Sequence, residues 1–241
     1  MSKGPLGLRF GSISAPAPAP EAGALARIRA EVENTGSVRW PAGVFLSYHW
    51  LDSHDNPIVW DGVRTTPPRL PPGERATVEL TVRGPIPPGR YRLALDAVAE
   101  HRAWFSELGS EMLRLDVDVR PRSGEPSADL PPWVETTPAW TEHVRAAHAE
   151  GYAVVAGSIE WHGGALRRRP RALEPYAPGT GRVPTFGAPL LCPSVLAGAV
   201  ELEPLGEVAG LPAFAAPVGE PWIYDGRAVL RARPRSGRRP T

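Results

Sequence analysis

Cysteine is nearly missing from this chain: Cys192 is the only one in 241 residues. An internal disulfide is therefore excluded, the fold must be held by packing, and a lone thiol fits a reducing compartment. Lysine is as scarce, since Lys3 is the only lysine among 27 basic residues. With the abundance of Ala, Pro and Gly, that bias looks like the codon usage of a GC-rich genome, so arginine alone does not signal a grip on phosphate. Neither sign of charge is in excess: 27 basic residues face 26 acidic ones, and the balance holds in both halves. No general polyanion-binding surface follows from that balance, and no specific nucleic-acid partner is expected. Long apolar runs are absent too. No stretch approaches the roughly 18–20 apolar residues that span a bilayer, and the start "MSKGPLGLRFGS" lacks the apolar core of a signal peptide. A cytoplasmic location without a transmembrane segment is expected.

What is plentiful is proline (30) and glycine (25), which favour turns and short strands over long helices. Period two dominates residues 25–120. In "ALARIRAEVEN", Ala24, Ala26, Ile28, Ala30 and Val32 face one way and Arg27, Arg29, Glu31 and Glu33 the other. "VFLSYHWLD", "PIVW", "RATVELTVR", "YRLALDAVAE" and "MLRLDVDVR" continue the series. Between them lie Asn34-Thr35-Gly36, Asp55-Asn56-Pro57, Pro71-Pro72-Gly73 and Pro87-Pro88-Gly89. Proline pre-sets φ for a turn and glycine accepts positive φ, so each triplet ends a strand and redirects the chain. Regular short strands without helices predict an antiparallel β-sandwich of immunoglobulin-like type over residues 1–120, lacking the Cys-Trp-Cys hallmark of antibody domains. Trp40, placed just past the Asn34-Thr35-Gly36 turn, reads as a plug over the open end of that sandwich's core rather than as a ligand platform.

The stretches "NTGSVRWP", "LSYHWLDSHDNPIVWDGVRTTPPRLPPGE" and "PPGRYRLALDAVAEHRAWFSELG" resemble the immunoglobulin-like accessory module of bacterial polysaccharide-handling proteins. That module accompanies glycosyltransferases and methyltransferases, and is similar to the O-antigen-binding sandwich of polysaccharide ABC exporter ATPases. The "NTG…WP" opening also resembles the four-tryptophan domain of autophagy receptors, a protein-binding sandwich. The likeness covers residues 24–119. It implies a sandwich associated with carbohydrate, whose partners are a glycan or polysaccharide and a glycosyltransferase or exporter component.

Holding a glycan needs flat rings over sugar C–H faces and planar polar groups bridging hydroxyls. By strand parity with Leu46, Tyr48 and Trp50 point inward and His49 outward. The "WDGVR" segment is the better candidate, because its Asp-Gly pair implies a tight turn that leaves Asp61 and Arg64 near solvent. Ligand-binding residues are thus expected at Trp60, Asp61 and Arg64, with Trp104 nearby; the competing reading makes Asp61–Arg64 a plain exposed ion pair. Asp116-x-Asp118 has the spacing of a metal-dependent glycosyltransferase, but Arg114 and Arg120 share its strand face, so a solvated mixed-charge face is preferred and no metal is expected.

Residues 121–135 have the composition of a Pro/Ser-rich linker. Beyond them a helix is predicted, with Thr137 as cap, Pro138 first and Gly151 as stop, and Trp140, Val144 and Ala147 as its apolar stripe. "YAVVAGSIEW" reads as a buried strand and "PWIYDGRAVL" as a hairpin turning at Asp225-Gly226. A small irregular α+β region is expected over 136–230, followed by a basic disordered tail over 231–241. Cys192 reads as a buried structural thiol. His143 and His148 are spaced wrongly for a helical metal pair, and "GTGR" lacks the setting and lysine of a phosphate loop. No cofactor is expected. The arginine clusters at 167–171 and in the tail read as solvated loops. The one catalytic alternative is Glu160 with His162, an acid/base pair on one strand face beside two glycines. The preferred reading is a non-catalytic carbohydrate-associated module. Its rivals are a glycosyl-transfer or hydrolytic enzyme using Glu160 and His162, and a protein-interaction sandwich working through an exposed sheet edge.

Overall fold

Alternation of apolar and charged residues becomes alternation of burial in the computed structural model, which describes residues 4–14, 19–162 and 171–233. The chain is mainly β and divides into two compact units, Met1–Pro121 and Arg122–Thr241, each with its own core. Among the described residues no helix is long and apolar enough to cross a membrane.

The first unit contains β1 (Leu8–Ser14), β2 (Leu25–Asn34), β3 (Val44–Leu51), β4 (Pro57–Val59), β5 (Arg75–Arg83), β6 (Gly89–Ala99), β7 (Ala103–Trp104) and β8 (Leu113–Val119). One antiparallel sheet has the order β1-β2-β5; the other runs β4-β3-β6-β7, with β8 also on β6. Ile28, Ala30 and Val32 of β2 and Val78, Leu80 and Val82 of β5 meet Leu46, Tyr48 and Trp50 of β3 and Leu93, Leu95 and Ala97 of β6 in a single core. Each such Val, Leu or Ile side chain fully buried contributes about 1.5–3 kcal/mol against conformational entropy. The outer face of the three-stranded sheet carries ion pairs such as Arg27–Glu79 (2.9 Å) and Arg75–Glu31 (3.2 Å), exposed and individually weak. Trp40 is fully buried, lies edge-on to Phe105 and donates its indole N–H to the Gly7 carbonyl (3.2 Å).

In the second unit, β9 (Pro126–Ser127) and β10 (Val134–Glu135) arise inside the interval read as a linker and pair with strands of this unit's sheet. Helix α1 (Pro138–Glu150) begins where Thr137 Oγ1 accepts from the Trp140 amide (3.0 Å) and ends at Gly151, whose φ of 126° suits glycine. Then come β11 (Val154–Trp161), a 3₁₀ turn at Arg171–Tyr176, β12 (Arg182–Val183), β13 (Leu190–Leu191), β14 (Ser194–Leu196), β15 (Pro204–Val208), β16 (Leu211–Phe214) and β17 (Trp222–Ala232). The larger sheet has the order β10-β17-β11-β14-β9, with β12 on β17; β13-β16-β15 form another. The hairpin expected at Asp225-Gly226 does not form. Instead β17 is one strand parallel to β11, and residues 226–228 bulge out between the pairs Gly157–Asp225 and Ser158–Val229. The bulge wins over a turn because its polar groups are satisfied where they lie. Gly226 bonds to Gly179 and Gly181, its carbonyl also accepts from Ser158 Oγ (2.8 Å), and Asp225 is held by two arginines. Residues 167–170 of one arginine cluster and 234–241 of the tail lie outside the described residues.

Candidate functional site

Strand β6 turns into β7 through Glu100, His101 and Arg102, with Val98 opposite Trp104 and Ala99 opposite Ala103. His101 adopts φ 58°, the left-handed conformation that closes this turn. Across the sheet, Trp60 to Arg64 follow β4 and are tied down by Gly62, whose amide donates to the Tyr48 carbonyl (3.0 Å) and whose carbonyl accepts from Ser47 Oγ (3.1 Å). These two segments frame a cleft of about 270 Å³ on the outer face of the five-stranded sheet.

All four residues expected to bind ligand line that cleft: Trp60, Asp61, Arg64 and Trp104. The two indoles are nearly perpendicular (71°) with centroids 6.3 Å apart. Arg64 places its guanidinium 5.6 Å from the Trp104 ring centroid, within cation–π range. It is held there by both oxygens of Asp61 and by Glu100 Oε2 (3.2 Å). The Asp61 hydrogen bond, ahead of Glu100, pushes the guanidinium still further above its ordinary range. Glu107 accepts the Trp104 amide proton (3.0 Å). Trp60 remains 45% exposed, which leaves ring surface for a ligand.

Beneath the tryptophans is a buried polar group built on His49, the side chain that strand parity places on the outer face. His49, fully buried, stacks on Trp60 (centroids 4.1 Å, 21°) and meets Trp104 edge-on (4.5 Å). Its Nδ1 bonds the Trp60 carbonyl. Its Nε2 is 3.6 Å from Asp96 Oδ2, and Asp96 accepts from Ser106 Oγ (2.6 Å) and from the Ala97 amide (2.7 Å). A signal existed: Asp96 is the only charge in the apolar run "LALDAVA".

The other candidates lie elsewhere. Glu160 and His162 do meet (2.8 Å), on a strand end where both are about half exposed, and Arg231 adds a third contact (3.4 Å). The His162 hydrogen bond, with Arg231 behind it, holds the Glu160 carboxyl below its usual range, which suits an ion pair rather than a general acid. Asp116 and Asp118 are separately paired with Arg92 (3.2 Å) and Arg90 (3.3 Å). Among the described residues no group of three or more His, Cys, Asp or Glu could hold a metal. Cys192 is buried, and burial pushes its thiol up to about 12. A larger groove of about 730 Å³ runs between the start of β1 and residues 108–114. Its lining mixes Leu6, Leu8, Phe10 and Met112 with Arg9, Glu111 and Arg114 and holds no indole.

No family model matches this chain, and no curated protein matches it. Among solved structures, a β-glucosidase from Listeria innocua in complex with glucose is 14% identical with a TM-score of 0.31, covering 47% of this chain and 16% of its own. The CARDB domain of a Pyrococcus furiosus protein in complex with di-metal ions is 18% identical with a TM-score of 0.30, covering 49% of this chain and 92% of its own. The putative ApaA protein of Bordetella pertussis is 20% identical with a TM-score of 0.24, covering 50% of this chain and 99% of its own. Likenesses this slight carry no argument about function.

Proposed function

We propose that this chain is a non-catalytic, carbohydrate-associated binding or positioning module, working in the bacterial cytoplasm in a surface-polysaccharide pathway. Its first unit is an immunoglobulin-like sandwich, a reading supported by two antiparallel sheets, β1-β2-β5 and β4-β3-β6-β8, contributing to one core. The observation that carries the functional reading is the convergence of Trp60, Trp104, Arg64 and Asp61 in one cleft. An exposed indole covers the C–H face of a sugar while the guanidinium and carboxylate edges meet hydroxyls. The partners are a glycan or polysaccharide and, alongside it, a glycosyltransferase or exporter component.

The test is a glycan array with the whole chain, repeated with Trp60→Ala and Arg64→Ala. Binding lost in both variants while the melting temperature holds supports the cleft as the site. Binding unchanged in Trp60→Ala removes it, and an array with no bound glycan removes the carbohydrate reading.

A second reading, a protein-interaction sandwich, is favoured by the groove beside the outer edge of β1, where among the described residues only β2 pairs with that strand, although Ser110 Oγ accepts the Leu8 amide proton (3.0 Å). Co-purification of a protein partner that is lost in Met112→Glu, with glycan binding absent, selects this reading. The enzymatic alternative at Glu160 and His162 rests on a half-exposed ion pair. Glycoside turnover abolished by Glu160→Gln is the result that restores it.

A further inference from the structure

We propose that Trp60 and Trp104 are coupled through one proton held between His49 and Asp96, which makes His49 the positioning residue of the cleft and ties the cleft's shape to pH. The ligand consequence rests on the carbohydrate reading above; the coupling itself does not.

Donor and acceptor chemistry leads there. A carbonyl only accepts, so His49 Nδ1, bonded to the Trp60 carbonyl, must carry a hydrogen. Nε2 is buried, has no hydrogen-bond partner among the described residues, and points to within 3.6 Å of Asp96 Oδ2. Without a second proton, a bare nitrogen lone pair faces a carboxylate in a site closed to water. Two acceptors then oppose each other where neither can be hydrated. A proton resident on either partner turns that opposition into a charge-assisted contact. The same Asp96 oxygen accepts from Ser106 (2.6 Å), two residues past Trp104. One imidazole, placed by that proton, therefore touches both segments, stacking on Trp60 and meeting Trp104 edge-on, while the same Asp96 oxygen is tied to the Trp104 segment through Ser106.

The groups around His49 set the direction. From β6 comes Asp96, in contact. Beyond the two indoles lie Arg64 with Asp61 and Glu100, and Glu107 on the Trp104 amide, with His101 and Arg102 on the rim. The ordered arrangement belongs to the acid end and is lost as pH rises and the shared proton leaves.

The experiment follows the indole ¹H–¹⁵N resonances of Trp60 and Trp104 in the whole chain across the pH range in which it stays folded, without added glycan. Trp60→Phe and Trp104→Phe assign the two resonances. A His101→Asn background removes the rim histidine, since asparagine tolerates the left-handed conformation at that turn. Both resonances are expected to move together with one midpoint. Asp96→Asn supplies its own N–H to Nε2, so the fold is expected to persist and the movement to vanish, with both resonances near their acid-end positions. Independent midpoints, no movement, or movement that survives Asp96→Asn overturns the proposal. If that variant fails to fold, the His49 imidazole ¹⁵N shifts of the unmodified chain decide it, because their titration must share the indole midpoint. For a glycan retained on the array, binding is expected to weaken about threefold to tenfold at the alkaline end, roughly one net hydrogen bond. An array without a hit would sink the carbohydrate reading and leave the indole titration to stand or fall by itself.

Discussion

Gly62 passes so close to the Tyr48 ring that a Cβ on it would fall 2.5 Å from Tyr48 Cζ. Tyr48 is 2% exposed and its hydroxyl accepts the Arg83 amide proton (2.8 Å), so the ring cannot retreat. The glycine is thus what lets the Trp60–Arg64 segment lie down on the sheet. Gly62→Ala is expected to cost about 1–3 kcal/mol, the usual range for overpacking, and, on the carbohydrate reading proposed above, to abolish glycan binding even where the unit stays folded. Urea unfolding beside binding titration checks it; unchanged binding at wild-type stability would show that the segment is placed by something else.

Asn34 is fully buried and closes the turn before Trp40. Its amide donates to the Val38 and Leu70 carbonyls (both 2.8 Å), and its Oδ1 accepts the Gly36 amide proton (2.9 Å). Asn34→Ala orphans the buried Gly36 amide, at about 1–3 kcal/mol unless water enters, and takes one of two donors from the Leu70 carbonyl, which keeps the Trp40 amide (3.0 Å), while the carbonyl of exposed Val38 can turn to water. The expected outcome is loss of cooperative unfolding of the first unit, read by hydrogen exchange at β2 and β5. Asn34→Asp should recover only part, because a carboxylate cannot donate to two carbonyls.

Much of this was legible in the sequence, for a physical reason. Burial on one sheet face imposes period two, so "ARIRAEVEN" and "TVELTVR" declare their inward residues directly. The Thr137 cap and the Gly151 stop are local chemistry, visible without tertiary information. The Asp225-Gly226 hairpin failed because its competing partner, β11, is some seventy residues away in sequence, and a parallel strand leaves no local signature. The burial of His49 and the part played by Asp96 were not legible for a related reason. Alternation places both on the outer face, which reads as solvent, and only the fold brings Trp60 and Trp104 over them.

His148, on the last turn of α1, is 2% exposed, with Nδ1 against the Tyr152 carbonyl (2.6 Å). Burial lowers its pKa from 6.5 to about 4, outweighing that hydrogen bond. Between those two values the unfolded chain binds a proton that the folded chain refuses. Stability of the second unit is therefore full above about pH 6.5 and falls as pH drops toward 4, by on the order of 3 kcal/mol. Chemical denaturation across that window measures the slope. His148→Gln should flatten it; a slope unchanged in that variant would assign the acid sensitivity to another group.

Asp225 is the buried acid on which the β17 bulge depends. Its side chain is fully buried, yet it accepts from Arg227 Nη2 (2.7 Å), Arg227 Nε (2.9 Å), the Arg227 amide (3.1 Å) and Arg182 Nε (3.0 Å). Burial pushes its pKa up, but the Arg227 bonds and both guanidinium charges outweigh it and leave the carboxyl below its ordinary range. Removing the carboxylate takes from Arg227 the acid it is bonded to, whereas Arg182 keeps Glu150 (2.6 Å), and both arginines are themselves 30–35% exposed. They can rehydrate in part, so Asp225→Ala is expected at the lower end of the ~3–5 kcal/mol seen when a buried pair loses one member. Asp225→Asn, which keeps one acceptor and the shape, should lose roughly half as much. Because Gly226 is bonded to Gly179 and Gly181, the damage should spread to that loop. Hydrogen exchange at Ser158–Trp161 and at residues 179–183 should accelerate together in Asp225→Ala. Acceleration at β11 alone would mean that the bulge is held by its backbone contacts and that the carboxylate is incidental.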